Sequence, residues 1–319
     1  MNTPIKPFIA PHVSQSELAL ALRHVEDMRI IAMGDSSVFG VGDHGNDIPS
    51  VGFGWTGRIA HDLKAERFVN VAKNGARARH LPTNQLPAVI AYRPHMVLIC
   101  IGTNDVLRGD FSPEEIRSAL ETICRSAIEL GSLVVLLGLP DPIRTAPGPM
   151  ALRRILSDRV IIINEILDEL ANDGLAIVVP TWNSRIAHER RMWHVDRMHP
   201  SALGHQHIAD SVRRHLSLPR RSARKIPTEV NVSKKFEMYW LITNGAKWFA
   251  KRSIDLVPAL IWLMISENMR KRRSSKSVVL NFHYLTGCRL THLGPRSPMA
   301  EAEDLKSSKC GFDPHRGHH

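Results

Sequence analysis

Five short runs of this chain are apolar without alternation: residues 29–34 (RIIAMG), 68–72 (FVNVA), 95–101 (HMVLICI), 132–140 (SLVVLLGLP) and 175–179 (LAIVV). A strand lacking a polar face must be covered on both sides, which is the condition of a parallel sheet. Segments with helical spacing separate the runs, at 53–64, 86–91, 112–131 and 150–172, with a shorter one at 14–25 and a last one at 201–216. The 112–131 segment is punctuated as a helix should be. Ser112 serves as N-cap, Pro113 takes the first position, Glu114 and Glu115 fill the first turn, and Gly131 stops it. Strands alternating with helices predict an α/β fold: a flavodoxin-like three-layer α/β/α sandwich. Right-handed crossovers order its five-stranded parallel sheet 2-1-3-4-5.

Open sheets of this kind bind ligands outside the carboxyl ends of their strands. The first run ends there in Gly34-Asp35-Ser36. A serine hydroxyl is a poor nucleophile without a base beside it. The sequence offers that base late, in Asp196-Arg197-Met198-His199-Pro200. An aspartate three residues before a histidine on a tight loop can reach one ring nitrogen and leave the other for the serine, the arrangement of a catalytic triad. Asn104, after the third run, offers a side-chain N–H pair, and Gly75, after the second, a backbone N–H with no side chain in the way.

Four blocks stand in order: Gly34-Asp35-Ser36, Asn70-x-Ala72-x-x-Gly75, Gly102-Thr103-Asn104-Asp105 and Asp196-x-x-His199-Pro200. In these the chain resembles the SGNH (GDSL-type) hydrolase family over about residues 29–217, with Ser37 where the family name expects leucine. The resemblance implies Ser36 as nucleophile, His199 as general base and then acid, and Asp196 as its orienter. It also implies an oxyanion hole formed by the backbone N–H groups of Ser36 and Gly75 and the side chain of Asn104. The reaction expected is hydrolysis of a small-molecule ester, of the esterase or lipase-like acylhydrolase kind, through an acyl-enzyme. Two alternatives stand beside it. One is a carbohydrate O-deacetylase; the other is a non-enzymatic, degenerate hydrolase domain acting as a tail-directed binding module. Trp193 and His194 flank the triad loop and are candidates for lining the substrate pocket, or for packing alone.

Other chemistries fare less well. Gly40-Val41-Gly42-Asp43-His44-Gly45 matches the letter of the dinucleotide fingerprint, but its glycines come several residues after the strand and run into Asn46-Asp47-Ile48-Pro49, not a helix. Asp35 reads as a loop hydrogen-bonder and not a second acid. The histidines at 188, 194, 199, 205 and 207 invite a metal, yet His188-Glu189 would need a histidine at 192, where Met192 stands. Neither a metal nor a cofactor is required.

Charge divides the chain. Residues 1–218 carry 23 basic and 23 acidic side chains, so the whole +11 belongs to residues 219–319. Residues 1–28 read as an N-terminal segment and 29–218 as the hydrolase domain. Residues 219–235 read as a basic linker and 236–273 as an aromatic and apolar amphipathic extension ending in Arg270-Lys271-Arg272-Arg273. That extension is too short of apolar residues to span a bilayer. It either packs back on the domain, as the resemblance of 240–252 to the trailing segment of some actinobacterial members favours, or makes peripheral contact with an anionic membrane. Nucleic acid is not expected as a partner. Residues 274–319 lack periodicity and read as a disordered tail. The opening MNTPIKPFIAPHVSQSELALAL has no basic segment leading into an apolar one, and Cys100, Cys124, Cys288 and Cys310 have no paired spacing, so the expectation is a cytoplasmic protein.

Overall fold

The computed structural model describes residues 13–43, 54–141, 150–181 and 185–223, with positions 261, 262, 264–266 and 269, all within the unit Met1–Arg270. Five strands form one parallel sheet: β1 (Arg29–Gly34), β2 (Arg67–Asn70), β3 (Met96–Cys100), β4 (Leu133–Leu137) and β5 (Ile177–Val179), in the order β2-β1-β3-β4-β5. The register sets Ile31 beside both Val69 and Val97, Val97 beside Val134, and Val135 beside Ile177. Every residue of β3 and β4 is buried, whereas the edge strands β2 and β5 are only partly covered, as unbroken apolar runs in the middle of a sheet require.

The helices are α1 (Gln15–Leu22), α2 (Ser36–Phe39), α3 (Gly54–Asp62), α4 (Leu81–Asn84), α5 (Leu86–Tyr92), α6 (Thr103–Val106), α7 (Pro113–Glu129), α8 (Met150–Asn172) and α9 (Ala202–His215). Strand order and handedness assign the larger ones to layers. The step from β1 to β2 moves one way along the sheet and every later step moves the other. Right-handed crossovers therefore put α3 on one face and α5, α7 and α8 on the opposite one. Accordingly α9 packs against α3, while α4, α5 and α8 pack against α7. The predicted sandwich is the fold observed.

Helix α7 begins as its caps dictate, with the Ser112 hydroxyl accepting the Glu115 N–H at 3.2 Å. Strands β2 to β5 are all shorter than their apolar runs, and local bonds account for β4 and β5. Residues up to 140 were expected in β4, but the Asn164 carboxamide takes both the N–H and the C=O of Leu139 at 2.9 Å, removing that residue from the ladder. Strand β5 starts at Ile177 because the N–H groups of Gly174 and Leu175 are bonded to the last turn of α8.

The first residues of the expected linker are tied to the domain. Arg221 donates from its backbone to Asp62 C=O at 2.6 Å and from its guanidinium to the carbonyls of Val25 and Arg23 at 2.7 Å, and Arg220 pairs with Asp62 and Asp210. Residues 224–235, the 274–319 tail and most of the 236–273 extension lie outside the described residues. Of that extension, positions 261, 262, 264–266 and 269 are helical. Among the described residues, no helix is long and apolar enough to cross a membrane.

Candidate active site

Ser36 follows β1 after a single residue. Asp35 caps the short helix α2, its Oδ1 accepting from the Ser37 N–H at 2.9 Å and the Ser37 hydroxyl at 2.8 Å. Burial pushes the Asp35 carboxyl above the usual carboxylate range, against those two bonds. Ser36 thus takes the first helical position, partly exposed, with a backbone N–H that has no acceptor within its helix. Two carboxamides hold this corner. Gln85 accepts from Gly34 N–H at 2.8 Å and donates to Gly34 C=O at 3.0 Å, while Asn70 donates to Val38 C=O at 2.8 Å and accepts from Ala72 N–H at 3.0 Å.

Asp196 and His199 share the loop before α9, and local bonds explain why a spacing of three suffices. Asp196 Oδ1 accepts the N–H groups of Met198 at 2.9 Å and His199 at 3.0 Å, closing the chain into a turn. His194 N–H to His199 C=O (2.8 Å) and Ser201 N–H to Met192 C=O (2.8 Å) clamp the turn at its base, where Trp193 bridges to Pro200. Asp196 Oδ2 is then 2.8 Å from His199 Nδ1, and His199 Nε2 is 2.8 Å from Ser36 Oγ. An ionised carboxylate only accepts, so the His199 proton sits on Nδ1 and Nε2 is left to accept from the serine hydroxyl. Burial works against the charge on Asp196, but bonds from His194 and His199 outweigh it and hold the carboxyl well below the usual range. Ser36 and the Asp196–His199 loop, 163 residues apart at Ser36 and His199, are brought into one relay.

The two loops meet at Gly42. Its φ is +94°, and a Cβ there would fall 2.2 Å from the Pro200 carbonyl oxygen, so a side chain would drive the Ser36 loop from the His199 loop. Behind this contact lies a buried ion pair. Arg58 grips both carboxylate oxygens of Asp43 at 2.9–3.0 Å, Gly54 N–H donates to Asp43 at 3.0 Å, and Arg58 also donates to Gln206 on α9. His205, fully buried, accepts from Trp55 N–H through Nδ1 at 3.2 Å and donates from Nε2 to Val41 C=O at 3.0 Å.

The loops after β2 and β3 are stitched together too. Asn104 Nδ2 donates to Ala76 C=O at 3.0 Å, which uses one hydrogen of its amide pair. The Asp105 carboxylate accepts Ala78 N–H at 3.1 Å and pairs with Arg77 at 3.4 Å. Gly75 adopts a left-handed φ of 78° at the bend between β2 and this seam. Of the two flanking candidates, Trp193 is partly buried with its indole N–H bonded to Ala187 C=O at 2.6 Å, and His194 Nδ1 lies 3.2 Å from Asp196 Oδ2. Gln85, Asp43, Arg58 and His205 were not singled out for the site from sequence; each acts on backbone or on a distant side chain, and no motif marks such a role.

No curated protein matches the chain. Solved structures similar to it include LAE5, an alpha/beta hydrolase enzyme from the metagenome of Lake Arreo, Spain. It is 19% identical at a TM-score of 0.48, with 61% of this chain and 98% of that one covered. The acetylxylan esterase Axe2 from Geobacillus stearothermophilus is similar at 21% identity and a TM-score of 0.47, over 62% and 97% of the two chains. The psychrotrophic esterase EstA from Pseudoalteromonas sp. is similar at 17% and 0.47, over 60% and 97%. The model of the GDSL-like lipase/acylhydrolase family matches residues 32–207, more than half of the chain, a span that takes in all three relay residues. The chain belongs to the GDSL-like lipase/acylhydrolase family.

Proposed function

We propose that this protein is a serine-dependent carboxylic ester hydrolase that works through an acyl-enzyme on Ser36. Family membership supports ester hydrolysis as the reaction class. The observation that carries the finer reading is the unbroken relay from Ser36 Oγ to His199 Nε2 and from His199 Nδ1 to Asp196 Oδ2, both at 2.8 Å.

In this reading His199 Nε2 takes the hydroxyl proton as Ser36 Oγ attacks the ester carbonyl carbon. The imidazolium that forms faces a carboxylate held ionised, which stabilises the charge and keeps the ring in place. The carbonyl oxygen becomes an anion stabilised by the N–H groups of Ser36 and Gly75 and by the second hydrogen of Asn104 Nδ2. Collapse expels the alcohol, which leaves with the proton from His199. Water, activated by the same imidazole, then attacks the acyl-enzyme and frees the acid.

Turnover of p-nitrophenyl acetate and labelling by a fluorophosphonate test this. Wild-type protein should hydrolyse the ester and label once per chain. Ser36→Ala should lose the label and drop kcat by roughly 10⁴–10⁶. Unimpaired turnover by that variant would remove Ser36 from the chemistry. A wild-type protein that neither labels nor hydrolyses would favour the binding-module alternative.

A further inference from the structure

Two imidazoles converge on one carboxylate oxygen. Asp196 Oδ1 is already occupied by the backbone N–H groups of Met198 and His199. Oδ2 meets His199 Nδ1 at 2.8 Å and His194 Nδ1 at 3.2 Å. His194 is held in turn from two sides. Its Cβ packs against Gly42 of the nucleophile loop, where an added Cβ would approach to 3.2 Å, and its own N–H closes the histidine loop onto His199 C=O at 2.8 Å. Arg190 donates to the His194 carbonyl at 3.2 Å. The ring therefore stands at the seam between the loop carrying the nucleophile and the loop carrying the base.

The direction of the His194 bond depends on its tautomer. Asp196 N–H also points at His194 Nδ1, but at 3.5 Å, the outer limit of such a bond. The carboxylate oxygen is closer and charged, and a bond to a charged acceptor is the stronger one. The proton therefore belongs on His194 Nδ1.

We propose that His194 is a positioning residue of the triad, donating Nδ1–H to Asp196 Oδ2 and so fixing the carboxylate in the orientation that aligns His199 with Ser36. With two backbone N–H groups on one oxygen and two imidazole N–H groups on the other, the carboxylate has no rotation left that keeps all four bonds. Without His194, Oδ2 keeps only its bond to His199, and the two backbone N–H groups on Oδ1 alone hold the carboxylate against tilting, so the His199 ring has a looser partner to set its plane. The inference rests on the reading of Ser36 as nucleophile, since only then does alignment of His199 carry a rate.

Three measurements on the full chain test it. The ¹⁵N spectrum of histidine-labelled wild-type protein at pH 7.5 reads the tautomer directly; His194 should carry its proton on Nδ1, as His199 does. His194→Phe keeps the ring and removes the donor, and should lower kcat for p-nitrophenyl acetate roughly 10-fold, a part of the 10²–10⁴ supplied by general base catalysis, with KM unchanged. His194→Asn restores an N–H at the position of Nδ1 and should recover most of that loss. A His194 proton on Nε2 would overturn the proposal, as would a folded Phe variant with wild-type kcat or an Asn variant no better than Phe at equal Tm. The spectrum needs no activity and no variant, so it decides even if His194→Phe does not fold. Absence of hydrolysis in the wild type would count against Ser36 as nucleophile, which is a separate failure.

Discussion

Arg197, between Asp196 and Met198, holds φ at 56°. The left-handed region costs a residue with a Cβ about 1–2 kcal/mol, and the exposed Arg197 side chain makes no bond described in the structure that would offset this. The turn tolerates it because four bonds over-determine the loop: two onto Asp196 Oδ1, one across Asp196–His199, and one across His194–His199. Arg197→Gly should therefore stabilise the protein by about 0.5–1 kcal/mol, the relief of strain exceeding the extra freedom gained by the unfolded chain. Arg197→Val should destabilise it. Thermal melts of the pair check the sign, and a lower Tm for the glycine variant would show that the turn stores no strain there. The residues of the proposed relay were legible in sequence because such chemistry restricts residue type, because Ser36 falls just past a strand end, and because Asp196 and His199 share one short loop. Gln85 was not. Its partner is the backbone of Gly34, 51 residues away, and backbone groups leave no trace in a pattern of side chains.

Helix α9 docks on α3 through polar contacts, and that has a consequence for pH. His205 accepts the Trp55 N–H at the start of α3 with Nδ1, so a second ring proton would set donor against donor. Burial, with Arg58 adding to it, pulls its pKa down to about 4 from 6.5, against the opposing Val41 carbonyl and Asp43. Between those two values the unfolded chain binds a proton that the folded chain refuses. The contribution to stability is therefore complete above about pH 6.5 and declines as pH falls toward 4, by on the order of 3 kcal/mol. His95 and His207 are shifted the same way, also by burial, so the comparison must be with a variant and not with a flat line. Urea unfolding between pH 7 and 4 should show wild type losing more stability than His205→Gln; parallel curves would mean that His205 is protonated at no cost. At this scale the long helices were readable, since α7 carries its caps and both α7 and α8 their periodicity in the chain. Strand ends were not, because Asn164 and the last turn of α8 decide where β4 and β5 stop and start. Helices α2 and α6, four residues each, are too short for any period to register.

The molecule as a whole is electrically lopsided, with every unit of its +11 net charge lying beyond residue 218. Within that basic part, Ile261, Trp262, Ile265 and Met269 are 48–55% exposed. On a helix at about 100° per residue these four positions fall inside a single arc of about 100°, one apolar face turned outward. Trp262 also touches the domain, its ring 2.5 Å from where a Cβ on Gly109 would lie, in the loop that follows Asn104 by five residues. In sequence this face runs directly into Arg270-Lys271-Arg272-Arg273. An apolar face beside a cationic run is the pattern that binds an anionic interface, each basic side chain adding about 1 kcal/mol near such a surface. The full chain should accordingly float with vesicles rich in phosphatidylserine and stay behind with phosphatidylcholine alone, and added salt should weaken the first result. Trp262→Ser with Ile265→Ser should lower flotation while leaving the Tm of the hydrolase domain within a few degrees. No recovery with either vesicle would assign the face to packing instead, and equal recovery with neutral and anionic vesicles would show that the charge beyond residue 218 has no bearing on where an ester is met.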